Sequence, residues 1–230
     1  MIPLGTVNNP TRHTPYLTYG LILVNLLVFV WELTLPPQQL AQAFYQLALV
    51  PCQFTQSFAP ELFIDFFRSM FLHAGWAHLA GNMVFLWIFG TNVEDYFRRR
   101  SFLLLYFAGG LVAALVHTAL YPDVCIPLIG ASGAIAAVLG AYIVLYPGTQ
   151  VRAGVIFLRF FMLPVRLPAL VVLGFWFVLQ VFNGVLSLGV DTLTGGGVAF
   201  FAHIGGFLFG MLFAFVYTLF RPAPRVDPLL

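Results

Sequence analysis

Residues 127–147 read PLIGASGAIAAVLGAYIVLYP, an apolar run fenced by proline at each end, with Ser132 near its start. Proline ends a helix because it lacks an N–H and clashes with the preceding turn. The stretch therefore predicts a helix of limited length, from about Ala131 to Tyr146. At 1.5 Å per residue it rises ~24 Å, against a hydrocarbon core of ~30 Å. If one end reaches a membrane surface, the other stops several Å short of the opposite surface. Non-helical backbone at that depth is tolerated only beside a protein-enclosed or watery cavity. The run thus predicts a buried serine at a recessed helix start, with access for water.

The composition places this helix in a membrane. The 230 residues are 61% hydrophobic and 8% charged, with mean hydropathy +0.95. A soluble domain carries roughly 25% charged residues, so too little polar surface exists here to cover a water-soluble globule. Apolar runs near Tyr16–Leu35, Leu79–Tyr96, Phe102–Tyr121, Ala131–Tyr146, Leu167–Leu186 and Val198–Phe220 give six expected spans. Long runs without alternation argue helix rather than barrel strand, so the expected class is an all-α membrane protein. The chain has no lysine, and orientation rests on arginine. With both termini inside, Arg12, Arg98–Arg100, Arg152, Arg159, Arg166, Arg221 and Arg225 lie on the cytoplasmic side and only Arg68 outside. That asymmetry predicts an N-in, C-in bundle. It also accounts for Arg98–Arg100 without nucleic acid, and the net charge of +2 implies no such partner.

The organisation expected is a cytoplasmic segment 1–15, a membrane domain 16–220 with an outer loop 36–78, and a cytoplasmic tail 221–230. Residues 1–15 are polar and proline-rich, unlike a cleavable leader. In the outer loop, Phe58, Leu62, Phe63, Phe66, Phe67, Phe71 and Leu72 alternate with Glu61, Asp65 and Arg68, a pattern for a segment lying in the membrane interface. Cys52 and Cys125 both fall in outer loops; pairing and inert thiols both remain open. Gly195–Gly197, before the last span, reads as a hinge or cap.

The chemistry centres on Ser132 and His203. Ionisable groups inside a bilayer are costly and mark functional sites. Serine at a helix start is commonly an N-cap, and that reading stands for Ser132 taken alone. However, Gly133, Ala136, Ala137 and Gly140 give the fourth helix a small face, and Gly206 and Gly210 do the same on the sixth. Small faces let backbones approach. His203 shares the face of Gly206 and Gly210, so close packing brings its imidazole toward the Ser132 hydroxyl. No carboxylate is placed to orient that imidazole: Glu32, Glu94, Asp95, Asp123 and Asp191 fall near span ends. A dyad is expected. A third cluster opens the second span, where His78 and Asn82 lie on one helical face. With the Ser132 N–H at a positive helix end, they would meet the charge of an oxyanion. A metal bound by His73, His78 and His203 is the rival, but five-residue spacing is not a helical zinc pair, and neither metal nor cofactor is expected. His117 reads as structural.

These residues resemble the rhomboid intramembrane serine proteases. The resemblance lies in Met70-Phe71-Leu72-His73, His73-x4-His78-x3-Asn82, Gly130-Ala131-Ser132-Gly133 and Ala202-His203-x-Gly205-Gly206-x3-Gly210. Pro15–Thr18 with Asn25 and Phe29, and Asn92–Asp95, are similar too. The resemblance implies a six-helix rhomboid-like bundle cleaving transmembrane substrates near the outer face. It implies Ser132 as nucleophile, His203 as base, Asn82 and His78 as oxyanion hole, and His73 as a supporting residue. Two departures stand out. Some relatives carry an aromatic beneath the histidine where this chain has Ala136, so the imidazole must be held by other packing, such as the fifth span. Phe67-Arg68 stands where some relatives have a Trp-Arg pair. The expected substrates are single-pass membrane proteins that unwind locally at the cut and enter past Phe175, Trp176 and Phe177. The expected location is a prokaryotic plasma (inner) membrane. An escort protein without catalysis and a transporter are the other classes; the full polar set argues against the first, and the lack of an internal repeat against the second.

Overall fold

The described chain begins in a short strand and then runs through helices, several of which start at or just after a proline. The computed structural model describes residues 2–7, 11–57, 59–157, 161–188 and 199–223. Strand β1 (Ile2–Thr6) precedes α1 (Tyr16–Leu33), and the outer loop holds α2 (Pro37–Leu47), α3 (Pro51–Gln56) and the single turn α4 (Asp65–Arg68). Helix α5 (Trp76–Phe85) passes through a π-helical turn, Leu86–Gly90, into α6 (Thr91–Leu120). Then come α7 (Ser132–Leu145), strands β2 (Gln150–Phe157) and β3 (Phe161–Pro168), α8 (Ala169–Ser187) and α9 (Phe200–Phe220). Proline at N1 starts α2 and α3, where its missing N–H costs nothing.

Among the described residues, α1, the run Trp76–Leu120, α8 and α9 are long and apolar enough to cross a membrane, and α7 is shorter. The 45-residue run is not straight. Arg98 breaks it with φ 64° and ψ 172°, a conformation that costs a non-glycine residue about 1–3 kcal/mol. A straight helix would separate His78 from Ala113 by about 52 Å. Yet both meet one turn of chain: a Cβ on Gly130 would lie 2.7 Å from His78 Nε2, and one on Gly133 would lie 2.7 Å from the Ala113 methyl. The run therefore folds back at Arg98, giving two legs where the sequence predicts a second and a third span.

Helix α7 lies at the centre. It is apolar all round and buried from Ala134 to Ile143, as a helix enclosed by others must be. Its closest partner is α9, where glycine makes the backbones touch. A Cβ on Gly206 would strike the Gly133 carbonyl, one on Gly210 the Ala137 carbonyl, and one on Gly140 the Phe207 carbonyl. Helix α6 packs on another side, with Gly109 against Ala137. Helices α1 and α8 form the periphery and expose Leu23, Leu27, Val30, Phe175, Val178 and Phe182.

Three of the carboxylates at span ends, Glu32, Glu94 and Asp95, bind backbone N–H groups, and Asp191 lies outside the described residues. Glu94 accepts from the Leu17 and Thr18 N–H groups (3.0 and 2.7 Å) and from the Thr18 hydroxyl (2.8 Å), capping α1 from another helix. Asp95 holds the Arg12 and His13 N–H groups, and Glu32 accepts the His73 N–H at 2.9 Å.

The all-α expectation is corrected. Strands β1, β2 and β3 form an antiparallel sheet in that order, with Arg152 opposite Arg166 and Ala153 opposite Val165. The cue is the alternation Val151-Arg152-Ala153, which places Val151 and Ala153 inward and fully buried. It was hidden because 147–166 reads as an arginine-bearing connection between apolar runs. Helix α8 consequently starts at Ala169, two residues after the expected start of the fifth span.

Cys52 and Cys125 are disulfide-bonded. The bond joins a network that pins the segment before Ser132 to the outer loop. Cys52 N–H donates to Val124 O, Leu128 N–H to Leu49 O at 2.7 Å, and Gly130 N–H to Ser69 O at 2.8 Å. The bond closes a 73-residue separation, so chain entropy alone assigns it roughly 4 kcal/mol. Cys52→Ser should lower the thermal midpoint in detergent under non-reducing conditions, and dithiothreitol should bring the wild type down to the same midpoint.

Candidate active site

Three helix N-termini meet at one end of the molecule. Ser132 is the first residue of α7, His203 the fourth of α9 and His78 the third of α5. Their positive dipole ends point at one place, a setting suited to developing negative charge. The glycine contacts between α7 and α9 set the separation of the first two residues. The Ser132 Oγ lies 2.8 Å from His203 Nε2. Ser132 makes no backbone cap bond, and Ala131 occupies the N-cap position, so the hydroxyl serves the imidazole rather than its own helix.

The opposite ring nitrogen is also engaged. His203 Nδ1 lies 2.9 Å from the amide oxygen of Gln180, a buried residue of α8. An amide oxygen only accepts, so Nδ1 carries the proton and Nε2 presents its lone pair to the serine hydroxyl. Trp176, one turn before Gln180, lies against the same ring at 5.8 Å between centroids and 36° between planes. With Ala136 where some relatives carry an aromatic, the aromatic contact to the imidazole comes instead from α8. Among the described residues, His73, His78 and His203 do not form a group placed to hold a metal ion.

Sequence reading missed Gln180. The signal was present: a lone uncharged amide in the apolar run Phe175-Trp-Phe-Val-Leu-Gln180-Val-Phe, with an indole one turn earlier. From the sequence the fifth span is expected to hold the imidazole by packing, whereas Gln180 holds it by a hydrogen bond, which a neutral amide in an apolar run does not announce.

His78 and Asn82 line the same cavity as Ser132 and His203, with a volume of about 640 Å³. Gly130, at φ +117°, lets the chain pass beside the His78 ring in a backbone conformation that L side chains rarely adopt. Asn82 Nδ2 is buried and finds no acceptor among the described residues. His73 stands behind: its ring meets that of His78 edge to face at 5.1 Å, and its Nδ1–H donates to the Phe71 carbonyl at 3.2 Å. Burial, then the neighbouring His78, pushes the His73 imidazole down to about 4, leaving it neutral at physiological pH.

The three residues expected at a substrate entrance separate. Phe175 faces outward, Trp176 lines the cavity, and Phe177 stacks on Phe207 at 4.7 Å. The glycine hinge Gly195–Gly197 lies outside the described residues. Arg68 pairs with Asp65, and Phe67 beside it is exposed. His117 rests against Tyr121, with ring centroids 5.3 Å apart. A second cavity, about 860 Å³, lies at the other end among Arg12, Asp95, Arg98, Arg99 and Arg221.

The Rhomboid domain family model matches residues 60–220, which hold Ser132, His203, His78, Asn82 and the other residues lining their cavity. The chain is 34% identical to Rhomboid protease GluP of Bacillus subtilis over 143 residues, 62% of this chain and 24% of that protein. It is 27% identical to the mitochondrial Rhomboid protein 1 of Saccharomyces cerevisiae over 212 residues, 87% of this chain and 53% of that protein. The match to the chloroplastic Rhomboid-like protein 11 of Arabidopsis thaliana is 25% over 215 residues. The chain thus spans about a quarter and about half of the first two relatives' lengths.

The α7–α9 contact generates a direct test. Gly206→Val inserts bulk against the Gly133 carbonyl, an overpacking that costs about 1–3 kcal/mol. It should lower the thermal midpoint and suppress labelling of Ser132 by a fluorophosphonate. Gly174→Val on α8, where nothing lies within 4 Å, should do neither.

Proposed function

The chain belongs to the rhomboid family, and from that membership we propose that it is an intramembrane serine endopeptidase with Ser132 as nucleophile and His203 as general base. The observation that carries the reading is the 2.8 Å contact between Ser132 Oγ and His203 Nε2, inside a cavity bounded by apolar helices. His203 Nε2 takes the hydroxyl proton as Oγ attacks the scissile carbonyl carbon. The carbonyl oxygen becomes an oxyanion, met by the Asn82 amide, the His78 ring and the Ser132 N–H. Collapse of this intermediate breaks the C–N bond, and the imidazolium gives its proton to the leaving amine. An acyl-enzyme remains. His203 then deprotonates a water that attacks the ester, and return of the proton to Ser132 Oγ completes the cycle.

The unpartnered Asn82 Nδ2 supports the oxyanion assignment. A buried donor without an acceptor costs about 1–3 kcal/mol, and an anion forming beside it relieves that cost during the reaction. Counting the two legs about Arg98 separately and including α7, the chain crosses six times, with both termini inside by the arginine distribution. On that reading residues 1–15 and 221–230 are cytoplasmic, and 16–220 form the membrane domain.

The substrates are single-pass membrane proteins. They lie in the bilayer beside the exposed face of α8, and a helix must unwind for its carbonyl to reach Ser132, which favours small or helix-breaking residues at the cut. We place the protein in a prokaryotic plasma membrane, following its Bacillus relative; the mitochondrial and chloroplastic relatives define the alternative.

Purified protein should cleave a model transmembrane substrate in detergent, and Ser132→Ala should abolish that cleavage. Cleavage that survives Ser132→Ala would refute the nucleophile assignment. A wild type inert on every substrate, yet still binding them, would make it an escort. Asn82→Ala should lower kcat about 10²- to 10³-fold, as removal of an oxyanion donor does elsewhere, with the thermal midpoint unchanged or raised.

A further inference from the structure

We propose that Gln180 is the positioning residue of the base, forming with Ser132 and His203 a chain of three in which a neutral amide stands where an acid would stand in water. The proposal rests on the Ser132–His203 reading above and extends it to a residue that the family resemblance did not supply.

Three observations converge on it. The contact from His203 Nδ1 to Gln180 Oε1, at 2.9 Å, lies on the far side of the ring from the serine contact. The imidazole is thereby held at both nitrogens along one line. Gln180 is buried in the middle of α8, a helix otherwise without a charged or titratable side chain. Trp176 shares its face one turn away, and its indole fixes the plane of the ring while the amide fixes its rotation.

The chemistry explains the choice of an amide. An orienting group must accept a hydrogen bond from Nδ1–H, and carboxylate and amide oxygens both do so. A carboxylate at this depth carries a charge that hydrocarbon penalises by several kcal/mol unless paired. Helices α7, α8 and α9 carry no lysine or arginine to pair with it, and the titratable group that shares the cavity with His203 is His78 of α5. An amide supplies direction without charge. Helix α8 is also peripheral, with its outer face exposed and its buried residues few. The groups that aim the base therefore ride on the helix lining the side of the cavity, so a displacement of α8 would loosen the base together with the cavity wall.

The test compares wild type, Gln180→Leu and Gln180→Glu as full chains in detergent. The readouts are the rate of fluorophosphonate labelling at Ser132, kcat and KM on a transmembrane substrate, the pH–rate profile and the thermal midpoint. Gln180→Leu keeps the bulk and removes the acceptor, so labelling and kcat should fall about tenfold, with KM changed less than about twofold. Gln180→Glu restores an acceptor and should recover most of the rate at high pH. An anionic neighbour favours the imidazolium, so its acidic limb should move to higher pH by about one unit or more. The assignment is overturned if Gln180→Leu labels Ser132 as fast as wild type. It is equally overturned if Gln180→Glu, melting like wild type, is as slow as the leucine variant at every pH. Should the leucine variant not fold, the displaced limb of the glutamate variant decides alone. Failure of the underlying dyad looks different: wild type would then not label, or Ser132→Ala would label as well as wild type.

Discussion

The contact between α7 and α9 carries the rest of the structure. Two helices whose side chains interdigitate normally keep axes 8–10 Å apart. Here Gly206, Gly210 and Gly140 have nothing to interpose, and carbonyls of one helix take the space a methyl would need on the other. In lipid, such contact replaces the hydrophobic drive that water would provide, because lipid tails are as apolar as leucine. Ser132 and His203 sit at the starts of these two helices, on the faces that touch. The reach of a hydroxyl to an imidazole is therefore a property of backbone spacing before it is a property of either side chain.

Polar groups within the helices follow a second constraint, that each must find a partner where no water is assured. Glu94 and Asp95 meet it with backbone N–H groups at the start of α1, and Glu32 with the N–H of His73. His203 meets it twice, with a hydroxyl and an amide. Asn82 Nδ2 does not meet it at all among the described residues, in the cavity where a transient negative charge is expected. Other buried atoms, Glu32 Oε2 and His117 Nδ1 among them, also lack a partner among the described residues, but of these groups it is Asn82 that lines the cavity with Ser132 and His203.

The sequence made the membrane class and the site legible for the same reason. In a chain with so few polar residues, each one inside a span is conspicuous, and Ser132, His203, His78 and Asn82 stand next to glycine or alanine that predict close packing. Helix ends came within about three residues because prolines and glycines mark them. The sheet escaped because β2 and β3 are short and their inward residues, such as Val151 and Ala153, resemble the edges of neighbouring spans. The role of Arg98 escaped as well: a positive φ at arginine leaves no trace in composition. Gln180 escaped for a third reason. Its importance lies in a contact between α8 and α9, and no periodicity within one helix reports which residue of another it faces.

The bond between Cys52 and Cys125 also works as a compass. Thiols in reducing compartments stay apart, and disulfides persist where oxidants reach them. Both cysteines lie at the Ser132 end, in the segments joined by the Leu49–Leu128 bridge. In the orientation proposed above, that end looks toward the oxidising side of the membrane, the side on which such a bond persists. On the proposed function, a fragment released from this end would emerge on that oxidising side.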